Sequence, residues 1–181
     1  MIAVSGSGVA GLAATLACVR NKKQVLFVAG TKPRISQQGG VQIAPNGWAA
    51  LDQLGVASKA KKLSTDLNAI YVRDIRTGST MANIDLSAVN YASISRFDLT
   101  SLLETEISIN GGATRIDARI TNVTQTDKPT KKTLEIIINS DSSHEIDALI
   151  AADGLKGFGR QYIHGLEHNQ NLVRGTERVA L

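Results

Sequence analysis

The sequence is poor in cysteine and in aromatic residues. Cys18 is the only cysteine among 181 residues, which rules out a disulfide framework and suits a reducing cytoplasm. Its neighbours are apolar, so we expect an inert thiol in the core. Phe, Trp and Tyr make up only 4% of the chain, and the core must therefore be built from Ala, Val, Ile and Leu. This composition is typical of buried parallel strands packed on helices.

Long apolar runs and basic clusters are also missing. No run approaches the roughly 20 apolar residues that cross a bilayer, and the first residues do not resemble a signal peptide. Basic residues come at most in pairs, as at Lys61-Lys62, with no aromatic residues interleaved. We therefore predict a cytoplasmic protein that binds no nucleic acid.

Acidic residues are absent from the first 51 positions. That segment has five basic residues and no Asp or Glu: Arg20, Lys22, Lys23, Lys32 and Arg34. A positive first third favours an anionic ligand such as a phosphate group.

Within this segment the sequence has the pattern of a strand, a glycine turn, a helix and a second strand. Ile2–Ser5 and Gln24–Ala29 are short apolar runs typical of buried strands, and the Ala- and Leu-rich run Val9–Val19 is typical of a buried helix. Such βαβ units wind into right-handed parallel sheets. No His, Cys or acidic cluster accompanies them, and we predict no metal site.

Gly6, Gly8 and Gly11 form the pattern G-x-G-x-x-G between the first strand and the helix. Gly6 permits a tight turn, Gly8 lets the backbone approach a pyrophosphate, and Gly11 lets helix and strand pack closely. Free N–H groups at the start of the helix, including Val9 and Ala10, then hold phosphate oxygens. We predict a dinucleotide site here. The alternative is a turn selected for packing alone.

The second strand ends in Ala29, where a dinucleotide site usually has an acid for the ribose. Losing those hydrogen bonds weakens binding of FAD or NAD by roughly 1.5–3 kcal/mol, about ten- to a hundredfold. Lys32 and Arg34 follow closely, and basic groups there suit a 2′-phosphate. An NADP-type site is therefore a rival.

The rest of the chain alternates between helices and strands. We predict a short helix from about Pro45 to Gly55, a hairpin around Thr77-Gly78, and a helix capped by Ser95 and Asp98. A second hairpin should join 114–126 to 132–140, and a buried strand should end at Asp153-Gly154.

Four motifs in this order resemble the N-terminal portion of class A flavoprotein monooxygenases, the para-hydroxybenzoate and salicylate hydroxylase type. They are "GSGVAGLAATLA", "GGVQIAPNGWAALDQLGV", "SRFDLTSLLE" and "ALIAADGLKGFGR". The resemblance extends to about Arg160. It implies FAD bound by Gly6, Gly8, Val9, Ala10, Gly11, Val41, Arg96, Asp153 and Gly154.

The family's reaction is the NAD(P)H-dependent hydroxylation of an aromatic or quinone-precursor substrate. Its second flavin motif, a Gly-Asp sequence, is not recognised in these 181 residues, so we assign no catalytic residue and expect turnover to be absent or very low. The sequence leaves the oligomeric state undecided.

The fold class expected is α/β: a Rossmann-like FAD-binding domain over residues 1–160, with an antiparallel β-hairpin inserted around 67–95. Residues 161–181 would begin a truncated substrate domain. Two alternatives are an NADP-binding reductase domain that uses Lys32 and Arg34, and a Rossmann remnant without catalysis. The pattern H-x-x-E-H at 164–168 would suit zinc, but Gly165 weakens the helix it needs.

Overall fold

The computed structural model describes residues 1–30, 39–128, 131–155 and 157–165. Its helices are α1 (Val9–Arg20), α2 (Pro45–Gln53), α3 (Ala57–Lys62), α4 (Arg96–Asn110) and α5 (Phe158–His164). Its strands are β1 (Ile2–Ser5), β2 (Val25–Ala29), β3 (Gly40–Ile43), β4 (Ser64–Asp66), β5 (Ala69–Arg73), β6 (Thr80–Asp85), β7 (Ala92–Ser95), β8 (Ala113–Asp117), β9 (Ile120–Lys128), β10 (Lys131–Ile138), β11 (Ser142–Ile146) and β12 (Ala148–Ala151). None of the helices in these ranges is long and apolar enough to cross a membrane.

A four-stranded parallel sheet in the order β12-β1-β2-β8 lies at the centre of the molecule. The predicted unit of β1, α1 and β2 is confirmed, with α1 one residue longer than expected. All five residues of β2 are buried, because helices cover one face of the sheet and an antiparallel sheet covers the other.

The two faces of β2 belong to two different cores. Val25, Phe27 and Ala29 pack with α1 and α4, while Leu26 and Val28 pack with the strands β9, β10 and β11. This division follows the alternation of side chains along a strand. Both cores are almost entirely aliphatic, as the low aromatic content predicts.

The predicted hairpin of 114–126 with 132–140 is partly wrong. Residues 113–117 form β8, which does not pair with β10 but joins the central sheet beside β2. Residues from Ile120 onward pair with β10 as expected, and 142–146, for which the sequence did not predict a strand of this sheet, form its third strand β11. The break falls at buried Ala118, whose N–H donates to the Ala29 carbonyl oxygen at 3.0 Å.

The strands inserted between α3 and α4, together with β3, form two further small sheets. The hairpin predicted around Thr77-Gly78 is confirmed as β5 and β6. Asp74 stabilises its turn by accepting hydrogen bonds from the N–H groups of Thr77 and Arg76, which lower its pKa. β7 lies between β3 and β4 and leads directly into α4. Ser95 caps α4 as predicted, its Oγ accepting from the Asp98 N–H at 3.5 Å.

One buried carboxylate joins three helices. Glu106 of α4 is 4% exposed and forms ion pairs with Lys59 of α3 and with Arg20 at the end of α1, the latter at 3.4 Å. The Arg20 guanidinium also lies over Gly55, where a Cβ would come within 2.0 Å of it. These contacts hold the turn between α2 and α3 against the carboxyl end of α1.

At the opposite end of α1, three backbone segments are in close contact. A Cβ on Gly11 would lie 1.8 Å from the Gly6 carbonyl oxygen, and a Cβ on Gly6 would lie 2.2 Å from the Ala152 carbonyl oxygen. Gly6 also has a backbone φ of 111°, a value that residues with a side chain rarely adopt. Both positions therefore require glycine for packing.

We expect Gly11→Ala to destabilise the fold by at least about 2 kcal/mol, because the methyl group would overlap a main-chain oxygen. In an open helix the same change would instead stabilise by about 1 kcal/mol. Gly8→Ala is the matched control, since nothing lies within 4 Å of its Cβ position, and should cost less than about 1 kcal/mol. Urea unfolding of the three proteins measures the difference; equal stabilities would contradict the packing role.

Candidate functional site

In the part of the chain that the structure describes, no side chain caps the amino end of α1. Gly8 is the N-cap residue and makes no side-chain cap, and the first turn contains no acidic residue. The first N–H groups of a helix have no partner within it, and the helix dipole places partial positive charge there. Gly8 and Ala10 are exposed. This end of α1 is therefore suited to an anion.

The same end of α1 lies where the order of strands reverses. From β1 the chain passes through α1 to β2 on one side, and it later returns to β12 on the other side of β1. Open parallel sheets bind ligands at such switch points, beyond the carboxyl ends of the strands. Two backbone hydrogen bonds hold the three strand ends together. The Ala152 N–H donates to the Ser5 carbonyl oxygen at 2.8 Å, and the Gly6 N–H donates to the Val28 carbonyl oxygen at 2.9 Å.

A cavity of about 400 Å³ opens beside this turn. It is lined by Ala10, by residues 151–154 after β12, and by Gly159, Arg160 and Ile163 of α5. The structure thus places the predicted residues Ala10, Asp153 and Gly154 around one space. Arg160, which the motif "ALIAADGLKGFGR" contains but the predicted site omits, lines it as well.

Asp153 stabilises the start of α5. Its Oδ2 accepts a hydrogen bond from the Gly159 N–H at 3.2 Å, and a Cβ on Gly157 would lie 2.1 Å from its Oδ1. Gly154 has φ of 84°, so a side chain there would strain the turn. Asp153 is half-buried and Gly154 is exposed. The Asp-Gly pair therefore shapes one wall of the cavity.

Arg96 and Val41 lie together on another part of this edge. The pairing of β3 with β7 sets Val41 opposite Ile94, and the Arg96 N–H donates to Gly39 at 2.9 Å. Helices α1 and α4 pack side by side and both lead into strands parallel to β1, so their amino ends share the edge of the sheet. The Arg96 side chain is exposed and has no partner among the described residues.

The strand that pairs with β2 at Ala29 carries an acidic residue that is far from Ala29 in the sequence. Asp117 of β8 is in register with Ala29. Its Oδ1 accepts from Arg115 Nε at 2.8 Å, and Arg115 also pairs with Glu104 at 3.0 Å. The hydrogen bond that Arg115 donates to Asp117, and then the one it donates to Glu104, raise the pKa of Arg115 despite its partial burial. Parallel pairing between segments 88 residues apart gives no local signal in the sequence.

Two sets of predicted residues fall outside the described residues. Lys32 and Arg34 of the NADP-type alternative are one set, and Glu167, His168 and Glu177 of the zinc alternative are the other. His164 is the last residue of α5, and Gly165 adopts a left-handed conformation with φ of 60°. Helix α5 therefore ends at the first residue of the histidine pattern.

Sequence comparison connects this arrangement with aromatic hydroxylases. No protein-family model matches the chain. The chain is 31% identical over 180 residues to a 3-hydroxybenzoate 6-hydroxylase of Polaromonas naphthalenivorans, an alignment that covers 91% of this chain and 42% of the relative. It is 28% identical over 172 residues to 3-hydroxybenzoate 6-hydroxylase 1 of Aquipseudomonas alcaligenes, covering 91% and 43%. The resemblance to the class A flavoprotein monooxygenases is confirmed.

Two solved structures, one of them holding FAD, share this mixed α/β fold. HpxO of Klebsiella pneumoniae, crystallised with FAD and uric acid, superposes with a TM-score of 0.71 at 21% identity over 92% of this chain and 42% of its own. The p-nitrophenol 4-monooxygenase PnpA of Pseudomonas putida also gives 0.71, at 18% identity over 90% and 42%. The chain spans about two fifths of the length of the curated relatives it matches.

We expect Gly8→Ala to lower the affinity for FAD at least tenfold while the protein stays folded. The added methyl group would occupy open space through which a diphosphate reaches the amide groups of α1. Quenching of flavin fluorescence measures the affinity. Unchanged affinity in a folded Gly8→Ala protein would place the ligand elsewhere.

Proposed function

We propose that the chain is the FAD-binding, Rossmann-like part of an NAD(P)H-dependent monooxygenase that hydroxylates a small aromatic or quinone-precursor substrate in the cytoplasm. One observation carries the proposal: an uncapped helix end behind an unobstructed glycine, at the switch point of a parallel sheet, in a chain related to 3-hydroxybenzoate 6-hydroxylases. When bound, FAD would supply the redox chemistry, activating oxygen after reduction.

The described residues fit a dinucleotide diphosphate. The Cβ position of Gly8 has no heavy atom within 4 Å, so a phosphate group can approach the backbone there. Gly6 and Gly11 instead touch backbone, which brings β1, α1 and β12 together around the turn. In this proposal the N–H groups at the start of α1, around Val9 and Ala10, donate to phosphate oxygens.

Charge supports the same assignment. No acidic residue occurs before Asp52, and Arg160 lines the cavity beside Ala10. We assign Arg96 to an anionic part of the cofactor, because its guanidinium is exposed and unpaired in the described structure at the first turn of α4.

Asp153 has an indirect role in this proposal. Its carboxylate holds the amide group of Gly159 and so fixes the first turn of α5, which carries Arg160. In this proposal Val41, which pairs with Ile94 across β3 and β7, lies near the flavin, as the resemblance implies. These residues bind and orient the cofactor, and no residue described here is assigned to the chemical step.

FAD should stabilise the purified chain against heat. At a hundredfold excess over Kd, binding adds about 2.7 kcal/mol, which raises Tm by roughly 5–10 °C for a chain of this size. NADPH without FAD should give no comparable rise. Stabilisation by NADPH alone would favour a reductase domain, and stabilisation by neither would favour a Rossmann remnant without a ligand.

Arg96→Ala should weaken FAD binding about tenfold, because a charge-assisted hydrogen bond to phosphate is lost. Arg76→Ala is the matched control: it removes the same charge from the turn between β5 and β6, within the predicted insert. Titration of flavin fluorescence compares the two variants. Equal loss in both would mean that Arg96 contributes only to the overall field.

A further inference from the structure

The strand ends at the edge of the central sheet suggest how this chain holds a ribose without an acid on β2. We infer that Asp117, at the end of β8, supplies the carboxylate that accepts hydrogen bonds from the hydroxyl groups of the cofactor's adenosine ribose. This inference rests on the proposed binding of FAD and names one of its contacts.

Position is the first support. Ala29 and Asp117 are paired residues of parallel strands, and both are the last residues of their strands. Neighbouring strands lie about 4.8 Å apart, and paired residues direct their side chains to the same face. A carboxylate at Asp117 is therefore displaced by one strand from the usual position, at the same edge of the sheet.

Asp117 also lies on the face of the sheet that contact with the cofactor requires. Ala29 packs in the core that includes Leu12 of α1. Arg115, two residues before Asp117 and thus on its face, lies over the Phe27 ring of β2 at 5.6 Å. Asp117 therefore lies on the face covered by α1, whose amino end is the proposed diphosphate site.

Asp117 is held in place and remains accessible. Arg115 Nε binds its Oδ1 at 2.8 Å, while its side chain is 56% exposed. The structure records no hydrogen bond to Oδ2 from the described residues. That oxygen is free to accept from a ribose hydroxyl, while the guanidinium holds the carboxylate in a fixed orientation.

Nearby alternatives do not provide such an acceptor. Residues 1–51 contain no acid, and Ala29 is fully buried with only a methyl group. Glu104, the other acid of this cluster, binds the far side of Arg115 through NH1. Asp117 is thus the carboxylate nearest in register to the end of β2.

The test compares ADP with 2′-deoxy-ADP, which differ by one ribose hydroxyl. By calorimetry the unaltered protein should bind ADP about ten- to a hundredfold more tightly, as expected for a hydrogen bond to a charged group. Asp117→Ala should bring the ratio close to one and weaken FAD binding by a similar factor. The control Asp66→Ala, which removes another exposed, ion-paired strand aspartate, should leave the ratio unchanged.

A second variant returns the acid to the usual strand. Ala29→Glu combined with Asp117→Ala should restore the preference for ADP. If that protein does not fold, the ratio measured on the unaltered protein still decides. A ratio near one while FAD binds refutes Asp117 but leaves the proposed function intact. Binding of neither FAD nor ADP refutes both.

The same titration separates an NADP-type site. ADP that carries a 2′-phosphate should bind more weakly than ADP, because Asp117 would repel the added charge. Tighter binding of the 2′-phosphate compound would overturn the inference and assign the cluster around Arg115 to a phosphate instead.

Discussion

The close contact of three main-chain segments at the start of α1 is the constraint on which the rest of the structure depends. Gly6, Gly11 and Ala152 come so close that side chains on the two glycines would overlap backbone oxygens. This contact sets α1 against both β1 and the end of β12. It thereby brings together the first and last strands of the central sheet, which are distant in sequence, and forms the edge where the candidate site lies.

The sequence predicts local elements well where one pattern dominates. The βαβ unit, the helix capped by Ser95 and the hairpin around Thr77-Gly78 have strong internal signals, either apolar periodicity, a cap or a turn, and the structure contains all three. Val9–Arg20 is long and apolar enough that tertiary contacts do not compete with its own preference for helix.

Pairing between distant strands explains the failures. The alternation in 114–126 is equally compatible with an antiparallel hairpin and with the observed division into β8 and β9. β8 is selected because the buried strand β2, already paired with β1 on one edge, needs a hydrogen-bonding neighbour on its other edge. The relation of Asp117 to Ala29 follows from that pairing, so the acid could not be identified from the sequence around residue 29. The likeness of "ALIAADGLKGFGR" to a family motif, by contrast, pointed directly to the cavity wall formed by Asp153 and Gly154, although the predicted site left out Arg160.

The ionic cluster around Glu106 makes the two ends of α1 differ in their contacts. Its carboxyl end is tied by Arg20 and Glu106 to two other helices, whereas its amino end carries no cap of its own. The helix is thus held by ion pairs at the end remote from the glycine turn, in addition to the backbone contacts of Gly6 and Gly11. Substitutions can alter ligand preference at one terminus without directly removing the anchor at the other, which leaves specificity free to diverge among related proteins of the same architecture.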